Sequence, residues 1–92
     1  MMELKTTEKF RKDYKRCKKR GLDMSLLENV IDLLLTGNPL PREYKDHSLV
    51  GDYPGFRECH VMPDWLLIYE ISDDKLTLTA TRTGTHSDVF DE

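Results

Sequence analysis

The sequence has no long apolar run and contains little cysteine, proline or glycine. It has no window of about 18 apolar residues, and its first residues lack the basic, apolar and small-residue order of a signal peptide. We therefore expect a cytoplasmic protein with no membrane partner. Five glycines and four prolines are too few for a fibrous or disordered chain, whereas 38% hydrophobic and 34% charged residues are typical of a globular protein.

The length and the cysteine content limit the architecture further. The 92 residues suffice for one hydrophobic core, so we assign residues 1–92 to a single domain. Cys17 and Cys59 are the only cysteines, and neither belongs to a CxxC pair. Because two such residues do not make a disulfide framework, both are predicted to be small core residues.

Charge of both signs is abundant but unevenly distributed along the chain. The net charge is −3, yet residues 1–20 contain nine Lys or Arg against three acidic residues. Residues 21–92 carry the excess of negative charge. A local basic surface can bind phosphates even on an acidic protein, so the net charge does not exclude a nucleic-acid partner.

The hydrophobic pattern predicts two helices followed by strands. Thr7 can cap a helix over about 8–19, and Ser25 with Glu28 has capping-box spacing at the start of a second helix. Strands are predicted at 2–6, 47–49, 56–62, 65–71 and 75–83. This order predicts an α+β domain in which two helices pack on one face of a mainly antiparallel sheet of four to five strands.

Three histidines fall at the ends of predicted strands, where binding sites are often assembled: His47, His60 and His86. Imidazoles brought together can act as acid and base in one reaction, although three unrelated surface histidines are an open alternative. Arg82 shares the parity of Ala80 in the last strand, so it belongs past the core, where its guanidinium could bind a phosphate.

Other reactive groups give weaker signals. Asp64 reads by default as a turn residue and Trp65 as a core residue, while Arg57 has the opposite parity to His60 and is left out of the site. A metal site lacks an H-x-x-x-H or CxxC pair. Ser87 lacks the GxSxG context of a serine nucleophile.

The motifs KDH, CHV, PDW and RTGTH, followed by a nearly terminal Phe90, together closely resemble the YafQ branch of the RelE-like toxins of bacterial type II toxin–antitoxin systems. The resemblance covers nearly the whole chain and implies a RelE-like fold of the microbial ribonuclease type. It also implies a metal-independent, cofactor-free endoribonuclease that cuts mRNA in the ribosomal A site. There the 2′-hydroxyl attacks the adjacent phosphorus, which gives a 2′,3′-cyclic phosphate and a 5′-hydroxyl.

The same resemblance implies the residue roles. The catalytic positions are His47, His60, Asp64, Arg82 and His86. We expect His86 to be the general acid and His60 the base, tuned or assisted by Asp64. His47 would assist, and Arg82 would stabilise the charge on phosphorus. The implied substrate contacts are Lys45, Trp65 and Phe90.

The implied partners follow from the family. The basic first helix is expected to contact ribosomal RNA through Lys12, Lys15, Arg16, Lys18 and Lys19. A DinJ- or RelB-like antitoxin would neutralise the protein in a toxin–antitoxin heterotetramer, and operator DNA would be bound only through that antitoxin. Two alternatives stay open at this point: a gyrase inhibitor on the same scaffold, and a degenerate toxin that acts only in antitoxin and operator binding.

Overall fold

The computed structural model describes residues 1–49 and 55–90. The elements in chain order are β1 (Glu3–Thr6), α1 (Glu8–Lys19), α2 (Met24–Leu35), one 3₁₀ turn (Arg42–Tyr44), β2 (His47–Ser48), β3 (Phe56–Met62), β4 (Trp65–Ile71), β5 (Thr77–Gly84) and α3 (His86–Phe90). The two predicted helices and five predicted strands are therefore confirmed, and α3 is an element that we did not predict. Within the described ranges, no helix is long and apolar enough to cross a membrane.

The starts of the two long helices differ in how well they were predicted. The hydroxyl oxygen of Thr7 accepts a hydrogen bond from the backbone N–H of Phe10 at 3.0 Å, which confirms the cap of α1. At α2 the cap is Asp23, whose carboxylate accepts from the N–H of Ser25 at 3.1 Å. Our assignment of Ser25 as the cap was wrong, because the carboxylate of Asp23, two residues earlier, already caps the positive end of the helix.

The five strands form a mixed sheet in the order β1-β5-β4-β3-β2. Strands β2 to β5 pair antiparallel, but β1 pairs parallel with β5. The expected mainly antiparallel sheet is therefore corrected at this edge. Here β1 runs directly into α1, and Thr7 between them binds β5 through its backbone N–H to the carbonyl of Ala80 and its hydroxyl to that of Thr81. This attachment, rather than a hairpin, orients β1.

One cluster of buried residues joins the two long helices to the sheet. The helices contribute Phe10, Cys17, Leu27, Val30, Ile31 and Leu34, and the strands contribute Cys59, Val61, Trp65, Leu67, Tyr69, Leu78 and Ala80. The strand members alternate along β3 and β4, so they share one face of the sheet. Both cysteines are buried and unpaired, as predicted, and burial raises the pKa of Cys59 to about 12.

A β-bulge interrupts the alternation of β5. Ile68 pairs with Arg82 but the next residue, Tyr69, pairs with Ala80, so Thr81 is the extra residue. Arg82 consequently shares the face of Ile68, opposite to that of Ala80. Our prediction that Arg82 continues the parity of Ala80 was wrong, because a bulge shifts all later side chains to the other face.

Candidate active site

The face of the sheet opposite the core carries a row of residues that crosses four strands. Successive strand pairs place His47 opposite Glu58, Glu58 opposite Ile68, and Ile68 opposite Arg82. His60 lies two residues beyond Glu58 on the same face of β3. Since directly opposed residues share a face, the row brings both histidines and the arginine to one surface.

At the β2–β3 end of this row, one carboxylate lies between two imidazoles, and we name His47, Glu58 and His60 the histidine cluster. Glu58 Oε1 lies 3.7 Å from His47 Nε2 and 3.4 Å from His60 Nε2. The Nδ1 atoms face carbonyls, of Lys45 at 2.7 Å and of Pro63 at 3.3 Å, to which each can donate. A proton gained at either Nε2 therefore has a carboxylate partner.

Glu58 is a residue that our sequence reasoning did not place in the site. Its side chain is only 6% exposed, although it lies on the face opposite the core. The available signal was an acidic residue two positions before His60 in the same strand, with the same parity. Asp64, which we expected to tune His60, is exposed in the turn after β3 and makes no hydrogen bond or ion pair to any described residue.

Lys45 supports the histidine cluster mainly through its backbone. It ends the 3₁₀ turn in the left-handed conformation, with φ of 49°, and this directs its carbonyl to His47. Its side chain is exposed, and it lines a cavity of about 280 Å³ together with His60. This position is compatible with the expected substrate contact.

At the other end of the row, a buried carboxylate of α1 holds Arg82. The Nε of Arg82 donates to Asp13 at 2.6 Å, and one terminal nitrogen donates to the backbone carbonyl of Asp88 at 2.9 Å. Asp13 is 1% exposed and also accepts from the N–H of Thr83 at 3.2 Å and from Arg16 at 2.7 Å. Arg82 thus has a fixed orientation set by charge-assisted hydrogen bonds.

Asp88 attaches the terminal helix α3 to the same network. Its carboxylate lies 3.1 Å from Arg16 and 2.5 Å from Arg20. It also accepts from the N–H of Thr85, whose hydroxyl accepts from the N–H of Asp88, so the two form a capping box that could have predicted α3. The Arg20 hydrogen bonds, above all, hold the pKa of Asp88 far below its ordinary value. We name Asp13, Arg16, Arg20, Arg82 and Asp88 the arginine cluster.

Gly84 joins β5 to α3 at a point where a side chain cannot fit. Its φ is +141°, and a Cβ there would lie 2.9 Å from the Cβ of Asp88. The close approach of Asp88 over the end of β5 therefore requires glycine.

The position of Arg16 changes our interpretation of the basic helix. We expected Arg16 to contact ribosomal RNA, but it binds the carboxylates of Asp13 and Asp88. The four lysines of the set are exposed, and Lys12 makes only a surface pair with Glu8 at 3.5 Å. The surface that remains for RNA, which we name the lysine surface, consists of Lys12, Lys15, Lys18 and Lys19.

His86 and Phe90 lie together on α3, beside Arg82. The two rings are 5.1 Å apart between centroids, with His86 exposed and Phe90 half-buried. Phe90 and Arg82 line one cavity of about 410 Å³. The structure therefore groups His86, Phe90 and Arg82 at one end of the row.

Trp65 lies in the core rather than on the substrate side. Its ring is 3% exposed, and its Nε1 donates to the hydroxyl of Thr83 at 2.9 Å. Our expectation that Trp65 contacts the substrate does not agree with this burial. Arg57, by contrast, lies on the opposite face from His60, as expected, and donates to Asp46.

The arrangement has the parts of an acid–base reaction on a phosphate. It offers imidazoles at both ends of a row and a guanidinium whose positive charge can stabilise an anionic phosphorane. In the described ranges, no group of three His, Cys, Asp or Glu residues could hold a metal ion. Side-chain chemistry of this kind suits a substrate that brings its own nucleophile, as the 2′-hydroxyl of RNA does.

Comparison with known proteins gives consistent results across nearly the whole chain. Residues 2–91 match the family described as the YafQ bacterial toxin of a type II toxin–antitoxin system. The mRNA interferase toxin YafQ of Escherichia coli K12 is 42% identical over 89 residues, which are 96% of this chain and 95% of that protein.

Solved structures agree with the sequence match. The crystal structure of the E. coli DinJ–YafQ complex superposes with a TM-score of 0.89 at 41% identity, covering 98% of this chain and 99% of that one. A metal-bound toxin from Helicobacter pylori superposes with a TM-score of 0.91 at 46% identity, covering 98% of this chain and all of that one.

Proposed function

The chain belongs to the YafQ family of toxins from bacterial type II toxin–antitoxin systems, and from this premise we propose that it is an mRNA interferase that acts on translating ribosomes. The observation that carries the proposal is the row that joins His47, Glu58 and Arg82 on one sheet face, with His60 beside it. A site of acid, base and guanidinium is what cleavage of RNA by its own 2′-hydroxyl requires.

In the proposed reaction, the 2′-oxygen forms a bond to the adjacent phosphorus while the bond to the 5′-oxygen breaks. His60 takes the proton of the 2′-hydroxyl at Nε2, and Glu58, 3.4 Å away, stabilises the resulting imidazolium. His86 gives a proton to the departing 5′-oxygen. The products are a 2′,3′-cyclic phosphate and a 5′-hydroxyl, and Arg82 balances the charge that develops on phosphorus.

Two residues have supporting roles in this proposal. His47 shares Glu58 with His60, so it can assist the base or hold the phosphate. Asp64 acts from the exposed turn, either on the substrate or on His60 once RNA is bound.

The reaction draws its protons and charge from side chains and needs no cofactor. We expect cleavage to continue unchanged after dialysis against a chelator selective for transition metals, with Mg²⁺ retained for the ribosome. Loss of cleavage that is restored by zinc or copper would contradict this part of the proposal.

Both long helices are proposed to cover the face opposite the row. The buried residues that they contribute join the strand residues of the core face, and this supports the arrangement. It leaves the face with the row open to an extended RNA strand. It also predicts that RNA binding does not require the helices to move.

The lysine surface is the proposed contact with ribosomal RNA. Changing Lys12, Lys15, Lys18 and Lys19 to Glu should weaken ribosome binding and reduce its steep dependence on salt, since each phosphate contact releases counterions. Binding is measured by cosedimentation at several salt concentrations, with Lys75→Glu as a single-site control. Unchanged binding would show that the ribosome contacts another surface.

The proposed regulator is a DinJ-like antitoxin. The similar E. coli chain was crystallised in a complex with DinJ, and the match to it covers 98% of our chain. We propose a toxin–antitoxin heterotetramer in the cytoplasm that contacts operator DNA through the antitoxin. A gyrase inhibitor on this scaffold would have no need for the acid–base groups of the row.

The decisive experiment supplies the protein to translating ribosomes and maps cuts in the mRNA by primer extension. Wild type should cut, and His86→Ala should lower the rate about 100-fold or more, because a positioned acid contributes on the order of 10²–10⁴. Ser87→Ala, at the exposed neighbouring position, is the matched control. Undiminished cutting by His86→Ala would remove His86 from the role of acid.

A further inference from the structure

We propose that the cavity between β3, β5 and α3 binds the nucleoside immediately 3′ of the cleaved phosphate, with Phe56 as a stacking wall for its base. This inference rests on the proposed function and deepens it. It adds to the site a residue, Phe56, and a direction in which the RNA runs across the sheet.

The cavity is large enough for one nucleoside. Its volume is about 410 Å³, within the range of small-ligand sites. It is lined by Lys9, Phe56, Ile68, Thr81, Arg82, Val89 and Phe90. Ile68 is buried, whereas the two phenylalanine rings are half-buried and leave part of their surface accessible. Four of the seven lining residues are aromatic or aliphatic, and Lys9, Thr81 and Arg82 supply the polar groups.

The charged groups of this cavity indicate which class of ligand it can bind. Lys9 and Arg82 place two cations beside apolar walls, and their charge is complementary to a phosphate attached to a flat, apolar ring system. A nucleobase on a sugar–phosphate backbone has this combination. Stacking on an aromatic side chain is tolerant of base identity, so the cavity can accept any of the four bases.

The direction of the RNA follows from the place of the acid. The ring of His86 lies against that of Phe90, which lines the cavity, and Arg82 borders the same cavity. The acid gives its proton to the 5′-oxygen, and this atom belongs to the nucleoside on the 3′ side of the phosphate. The nucleoside that leaves is therefore the one nearest the cavity.

The general base, His60, lies away from this cavity, at the other end of β3 from Phe56. Phe56 precedes Glu58 by two residues and His60 by four on the same face of β3, which corresponds to distances along the strand of about 7 Å and about 13 Å. The ribose that carries the attacking 2′-hydroxyl must be near His60, so it lies on the 5′ side. The strand then runs from the histidine cluster toward Phe56.

The test is a double-mutant cycle between the protein and the RNA. Ribosomes are programmed with an mRNA that has an intact or an abasic nucleotide directly 3′ of the cut, and cleavage rates are measured for wild type and Phe56→Leu. Removal of the base should slow wild type by about 5- to 150-fold, the usual effect of one stacked base. For Phe56→Leu, cleavage of the abasic mRNA should be less than about twofold slower than cleavage of the intact mRNA.

The cycle cancels effects that do not involve Phe56. Loss of the base also disturbs decoding, but this effect is the same for both proteins. Phe56→Leu keeps an apolar side chain, and its melting temperature is checked against wild type. Phe56→Trp, which retains an aromatic plane, should restore the full sensitivity to the missing base.

Each result has a defined meaning. An equal abasic effect in wild type and Phe56→Leu would overturn the assignment of Phe56. Coupling of Phe56 to a missing base on the 5′ side would reverse the proposed direction. A wild-type protein that cuts no mRNA on ribosomes would overturn the proposed function itself, and the subsite with it.

Discussion

The two ends of the site hold their charged groups in different ways. In the histidine cluster, a single carboxylate lies 3.4–3.7 Å from two partly exposed rings. In the arginine cluster, two carboxylates bind three guanidiniums at distances down to 2.5 Å. One end is loosely paired, and the other is an ion-pair network.

The difference corresponds to what each end must do in the proposed reaction. An imidazole that takes up and gives back a proton changes its charge, so a tight, permanent ion pair would hinder one of the two steps. A guanidinium keeps its charge throughout and gains from a fixed orientation, which removes the cost of reorganisation during the reaction. The comparison therefore predicts that removing a carboxylate from the arginine cluster lowers stability, whereas removing the carboxylate of the histidine cluster lowers turnover.

The largest expected effect on stability comes from Asp13→Ala. This change leaves the guanidinium of Arg82 and the N–H of Thr83 without their buried acceptor, and breaking a buried ion pair typically costs about 3–5 kcal/mol. Urea unfolding measures the change. Asp32→Ala, at an exposed position of α2, is the control and should alter stability by less than about 0.5 kcal/mol. A loss of activity at unchanged stability would contradict the network's structural role.

The next effect concerns turnover at the loosely paired end. Glu58→Gln keeps the shape of the side chain but removes the charge between His47 and His60. Cleavage should fall by about 100-fold, within the usual range for a group that supports proton transfer, while the melting temperature changes little. Glu70→Gln, an exposed carboxylate on β4, should leave the cleavage rate unchanged. Equal rates for wild type and Glu58→Gln would remove the carboxylate from the mechanism.

The smallest effect is pH-dependent and concerns α3. The pKa of Asp88 is lowered in the folded state, chiefly by its hydrogen bonds with Arg20. Its ionised form therefore stabilises the fold above the ordinary carboxyl pKa of 3.8, and this stabilisation is lost as the pH falls below it. Asp88→Asn should lower the melting temperature by a few degrees at pH 7.

The same variant gives its own control through pH. The difference in melting temperature between wild type and Asp88→Asn should shrink as the pH is lowered below about 4, because the carboxyl of the unfolded chain becomes protonated there while that of the folded protein stays ionised. Asp73→Asn, in the exposed turn between β4 and β5, tests whether any carboxylate gives this behaviour. A difference that is constant from pH 7 to pH 3 would show that the α3 attachment does not depend on this charge.

The sequence was sufficient for the features that depend on local pattern. Hydrophobic periodicity and turn residues gave the helices, the strands and the burial of both cysteines, and the parity of β3 placed His60 and Arg57 on opposite faces. The family resemblance supplied the residues proposed to be catalytic. Each of these inferences needs only residues within one element or one motif.

The missed features depend on partners far apart in the chain. Asp13 lies on the buried face of α1, where its acceptor role becomes visible only beside Arg82, 69 positions later. The bulge at Thr81 depends on how β5 pairs with β4. The parallel pairing of β1 similarly requires knowing where α1 attaches. Two local signals could have been used, the Thr85 and Asp88 capping box and the shared parity of Glu58 and His60.

The bulge has a consequence for how the chain finds its fold. A regular β5 without the extra residue would place Arg82 opposite Leu67 and Thr83 opposite Leu66, so the guanidinium would enter the core. Burying an unpaired charge among apolar side chains has a large cost in free energy. The side chain proposed to bind phosphate therefore also disfavours the misaligned pairing of β4 with β5, because that pairing would bury its charge in the core.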